Sequence, residues 1–197
     1  MDNAMKNIKF IPKWLIVAAA LTALTIFIHE IAHYVTALAF GAENVKLHWL
    51  DVSYDPASLS RMAAAMTALA GPFSTYLIII VVWLSGISGL APLALGIGAA
   101  SRNLVLLPFA LKMVLGHDIS SFSNDEVRTA IILNISPLPF GLIAVLLGVG
   151  GMVVFLRRAY RTNGVVFPIA LIVGTALGII LWSAVGPVLF SGGRGFA

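Results

Sequence analysis

The 197-residue sequence has no cysteine and little charge. Without thiols, neither a disulfide framework nor a thiolate metal site can form, so any metal must be held by histidine and carboxylate. The redox compartment is therefore not readable from the sequence. Charged residues make up only 10% of the chain and hydrophobic ones 60%, with a mean hydropathy of +1.02. That leaves too little polar surface to coat a soluble globule, and a bilayer is the natural solvent. The net charge of +4 comes from basic residues scattered among short loops. This pattern fits anionic lipid headgroups and argues against nucleic acid, which would favour a basic stripe. An internal repeat is also lacking, which weakens a transporter built from inverted halves.

Long apolar stretches are what the chain does have. They run from Trp14 to Phe40, Met62 to Ser85, Pro137 to Leu156 and Val165 to Phe190, each near or above the roughly 20 residues that cross hydrocarbon. Lys6, Lys9 and Lys13 before the first stretch resemble the basic part of a signal peptide. The stretch is too long for a signal core and holds His29, Glu30 and His33, so it is expected to stay in the mature protein. The expected fold is an all-α, polytopic transmembrane helix bundle of about five crossings (four to six). Residues 1–197 form a single integral membrane domain, with a core over about 13–122 and additional helices over about 123–190. The protein is expected to be multi-pass, in the cell membrane.

The first helix is expected from about Lys13 to Phe40, ending at Gly41. Between Ala42 and Ser58, Val45, Leu47, Trp49, Leu50 and Val52 loosely follow a period of two, which predicts a short β-like loop. A second helix over about Leu59 to Ser85 should kink or open at Gly71 and Pro72. The third crossing is expected to start near Ser101, with Arg102 snorkelling at the interface and Gly86 to Ala100 a glycine-rich connector or half-helix. Ser123 and Glu126 fit a capping box. Arg157, Arg158 and Arg161 mark an interface after the fourth crossing, and Gly174 and Gly178 have the spacing of a close helix-packing surface.

Chemistry concentrates at His29, Glu30 and His33, inside an otherwise apolar helix. Residues i and i+4 share one helical face, so both imidazoles can bind the same ion, with Glu30 beside them to take a proton from an attacking water. A charged side chain at bilayer depth costs at least about 2.5–3.5 kcal/mol, so such residues usually mark a function.

Here the sequence resembles the site-2 protease family of intramembrane zinc metalloproteases. The resemblance rests on FIHEIAHYVTALAFGA in the first helix, ALAGPF at Ala68 to Phe73, LPF at Leu107 to Phe109 and GHD at Gly116 to Asp118. It implies one zinc per chain, held by His29, His33 and, by position, Asp118, with Glu30 as catalytic base. The implied substrate is a membrane protein cleaved in or near a transmembrane helix. The sequence departs from the family pattern at Thr75, where the family usually has Asn, and at Ile119, where Gly usually follows the aspartate. Asp51, Asp55 and Asp125 sit in apparent loops, and His48 and His117 read as loop and helix-end residues. Asn103 resembles the family's substrate-positioning asparagine. On a continuous helix it would lie about 22 Å from Asp118, and the same distance argues against Arg102 as an oxyanion stabiliser.

The alternative is a non-catalytic zinc-binding membrane protein, either an inactive relative or a metal-handling carrier. Intact Glu30 argues against the former, and the lack of repeated His or Asp pairs in other helices against the latter. The positive-inside rule places the N-terminal lysines in the cytoplasm, whereas the resemblance implies the reverse.

Overall fold

The computed structural model describes residues 9–116 and 124–190. It is a bundle of α-helices: α1 (Ile11–Ala39), α2 (Arg61–Ser85), α3 (Leu90–Leu104), α4 (Leu107–Val114), α5 (Asp125–Leu133), α6 (Leu138–Asn163) and α7 (Val166–Phe190). Between α1 and α2 lies an antiparallel hairpin, β1 (Lys46–Leu47) and β2 (Val52–Ser53), in which Lys46 pairs with Ser53 and Leu47 with Val52. Five segments are long and apolar enough to cross a membrane: α1, α2, Leu90–Lys112, α6 and α7. Large apolar side chains such as Ile16, Leu84, Leu146 and Val188 face outward, as a lipid-facing surface requires. The expected all-α bundle of five crossings and its β-like loop are both present.

Helix α1 starts at a proline turn and ends where Gly41 takes φ +77°. The Gly41 N–H donates to the Leu38 carbonyl and that of Ala42 to Ala37, the paired bonds of a Schellman cap. Helix α2 opens with Ser60 accepting from the Ala63 N–H, and it continues through Pro72 to Gly86. Proline cannot donate to the carbonyl four residues back, so the turn around Ala68 is loosened within a helix that is nonetheless continuous.

The third crossing departs from expectation by starting at Leu90 instead of near Ser101. Leu93, Ala94, Ile97, Ala99 and Ala100 are fully buried. Small residues expected as a connector or half-helix form a helix that sits in the middle of the bundle, against α1, α2, α6 and α7. The chain turns at Val105 and Leu106 before α4, so Asn103 and the residues after Pro108 are not on one straight helix. Helix α6 extends past the expected Leu156 to Asn163 and carries the three arginines within it. Arg158 reaches back to donate to the Val82 and Trp83 carbonyls, satisfying the end of α2. Gly174 and Gly178 face Leu15, Ala18, Ala19 and Thr22 of α1, so their packing surface is used within the chain.

The cap of α5 is shifted one residue from the expected box. Asn124 accepts from the Val127 N–H at 2.8 Å, which places Asp125 in the first helical turn. Ser123 lies outside the described residues.

Candidate metal centre

Helix α1 presents His29, Glu30 and His33 to the interior, each almost completely buried. His33 Nδ1 lies 2.7 Å from the Thr67 carbonyl, which can only accept, so Nδ1 carries the proton. His29 Nδ1 lies 3.0 Å from Thr75 Oγ1, whose own hydrogen is directed to the Gly71 carbonyl. Both neutral imidazoles are thus fixed as Nδ1–H tautomers, with the Nε2 lone pairs turned inward.

These lone pairs converge. His29 Nε2 and His33 Nε2 are 3.1 Å apart, and Asp125 Oδ2 lies 3.0 Å from the first and 3.3 Å from the second. Ligands about 2.0–2.1 Å from a tetrahedral ion stand about 3.3–3.4 Å from one another, close to the separations here. Three acceptors facing one another repel unless a cation lies among them. Gly71 makes the approach possible, since a Cβ there would stand 2.2 Å from His33 Nε2 and 2.4 Å from His29 Nε2. The His29, His33 and Asp125 group could therefore hold a metal ion.

Asp125 reaches the histidines from α5, which packs on α2. Its carboxylate is the third donor that a cation between the two imidazoles would meet. Next to it, Glu126 is buried and accepts from the Tyr76 hydroxyl at 2.9 Å, tying α5 to α2.

The sequence placed His29, Glu30 and His33 together, and they are together. Asp118 and His117 lie outside the described residues, and the carboxylate at the pair among the described residues is Asp125. Its position is the start of a helix, not a loop as its surroundings suggested. The only sequence signal was the polar run Asn124, Asp125 and Glu126 before an apolar helix. Thr75, which departs from the family pattern, orients His29. Asp51 lies in the hairpin turn, Asp55 caps the short turn at Pro56–Ser58, and His48 bonds Ser53.

Arg102 does not snorkel. Its Nη2 lies 2.5 Å from His29 Nε2, 3.5 Å from Glu30 Oε1 and 3.8 Å from Asp125 Oδ2. The early start of α3 places it late in that helix, where its guanidinium meets Glu30 and Asp125. Asn103 is also at the site. It is buried with its Nδ2 lacking a partner, and with Arg102, His29, Asn124, Asp125 and Glu126 it lines a cavity of about 200 Å³. A smaller cavity of about 60 Å³ lies on the other side, between Glu30, His33, the hairpin residues Leu50 to Val52, and Arg128. Compared with known protein families, with curated proteins and with solved structures, the chain finds no match.

Proposed function

We propose that the chain is an intramembrane metalloprotease that hydrolyses peptide bonds in or next to transmembrane segments of other membrane proteins. The reading is carried by the convergence of His29 Nε2, His33 Nε2 and Asp125 Oδ2 within 3.0–3.3 Å of one another, beside the buried Glu30. Structural zinc sites are closed by four protein ligands, whereas catalytic ones have three and an open position. Among the described residues the group supplies three. In this reading Asp125 takes the place that the sequence resemblance gave to Asp118.

Bound zinc would polarise the scissile carbonyl and make water acidic enough to deprotonate at neutral pH. Glu30, on the same helical face region, accepts the proton of the attacking water and passes it to the departing amide nitrogen. Thr75 and the Thr67 carbonyl keep the imidazoles in the tautomer that binds a cation. The two cavities both reach Asp125, one from the Arg102 side and one from the hairpin side, with room for water at the centre; a peptide segment needs the hairpin or α5 to give way. The two-stranded hairpin leaves a free edge on each strand, and an extended peptide can add to such an edge. A substrate helix must unwind first, because its carbonyls are otherwise bonded within the helix.

The test is cleavage of transmembrane substrates in detergent, with metal content measured by elemental analysis. The wild type should carry about one zinc and cleave, while Glu30→Gln keeps its zinc and loses at least about 10³-fold in rate. Zinc without cleavage in the wild type would favour a non-catalytic zinc-binding protein, and no zinc would remove both readings.

A further inference from the structure

Arg102 comes from neither the HExxH helix nor α5, yet its guanidinium ends among their side chains. A guanidinium is always charged and costly to hold at membrane depth. It forms ion pairs with both Glu30 and Asp125 without being locked by either. Its contacts to Glu30 and Asp125, at 3.5 and 3.8 Å, are longer than hydrogen bonds, and neither carboxylate grips it in the two-bond fork of a locked pair. Its closest contact is to His29, where Nη2 lies 2.5 Å from Nε2, on the lone pair that a bound ion would take from it. It lies beside the donor triangle, on the wall of the larger cavity, with its side chain 29% exposed.

Charge gives this placement a consequence. A dication held by His29, His33 and Asp125, with Glu30 as the second carboxylate, is a neutral site. Arg102 makes it positive by one, the sign needed where negative charge develops on a substrate oxygen.

Resting on the hydrolase reading above, we propose that Arg102 is a catalytic residue that donates to the scissile carbonyl oxygen as it becomes an oxyanion. Water forms a bond to the carbonyl carbon and loses a proton to Glu30. The carbonyl π pair moves onto the oxygen, where the guanidinium N–H groups hold it. The pair then re-forms the carbonyl, the carbon–nitrogen bond breaks with its electrons leaving on nitrogen, and Glu30 returns the proton there. The products are a carboxylic acid and an amine, and the acid's remaining proton passes to the amine to leave a carboxylate and an ammonium, so no other reactant is needed.

The experiment compares wild type, Arg102→Ala and Arg102→Lys, loaded with zinc in detergent. It measures kcat and KM, zinc content, and binding of a phosphinate peptide, whose tetrahedral anion resembles the oxyanion. Arg102→Ala should lose about 10²–10³-fold in kcat with little change in KM. It should bind the phosphinate weaker by a similar factor, retain one zinc, and recover part of its activity with added guanidinium. Arg102→Lys should fall between. A kcat and phosphinate affinity near wild type in Arg102→Ala would overturn the proposal, as would loss of zinc in both variants, which would make Arg102 structural. A wild type that holds zinc but neither cleaves nor binds the phosphinate would overturn the hydrolase reading itself.

Discussion

Replacing Gly71 by alanine adds one carbon, and the structure says where it goes. The new Cβ would stand 2.2 Å from His33 Nε2 and 2.4 Å from His29 Nε2, where ordinary contact begins near 3.4 Å. Both imidazoles must retreat by about 1 Å, while metal–ligand distances tolerate only about 0.2 Å. Loss of a single orienting partner costs roughly 10–100-fold in metal affinity. Displacing two ligands together should cost about 1,000-fold, or about 4 kcal/mol. The helix itself should not suffer, because alanine is favoured over glycine in a helix interior by about 0.8–1 kcal/mol. Competition against a chromogenic zinc chelator in detergent measures the affinity, and far-UV circular dichroism reports the fold. Gly141→Ala is the control, since its Cβ would meet Phe109 at an ordinary 3.4 Å. A Gly71→Ala protein that holds zinc as tightly as the wild type would refute the placement of both ligand atoms.

Asp125→Ala should lose zinc while Asp118→Ala keeps it; elemental analysis of both variants decides which carboxylate is the ligand. Thr75→Val removes the acceptor for His29 Nδ1, so zinc affinity should fall about 10–100-fold with the fold intact, as read by the same chelator competition. Burial raises the Glu126 carboxyl above its ordinary value. The folded state therefore holds a proton that the unfolded state has released, and stability falls as pH rises above the ordinary glutamate value until the folded carboxyl ionises. Glu126→Gln, which keeps an acceptor for Tyr76, should flatten this dependence and raise the melting temperature at neutral pH relative to wild type.

The grouping of His29, Glu30 and His33 was readable because it is local: one helical turn sets their geometry whatever the rest of the chain does. The long apolar runs gave the crossings for the same reason. Asp125 was not readable, because it lies 96 residues from His29 and only the packing of α5 on α2 brings them together. Arg102 was misplaced along with the start of α3. Glycine and alanine between Leu90 and Ala100 carry little local signal for a helix, and their use is tertiary: they let α3 fit at the centre of the bundle. Thr75 looked like a departure from a pattern, yet a hydroxyl can accept from an imidazole as well as an amide oxygen can.

The hairpin near Glu30 rests on the last helix of the chain. Trp182 Nε1 donates to the Trp49 carbonyl at 2.9 Å, and at Gly186 an added Cβ would meet the Trp49 ring at 2.9 Å. Helix α7 supplies no ligand and no base, yet it is the foundation on which Leu50 to Val52 stand as the wall of the smaller cavity. The residues of the candidate metal group and the support of the wall beside them are thus on different helices. Selection can remodel the entrance through changes around Trp182 and Gly186 while the metal-binding residues stay fixed.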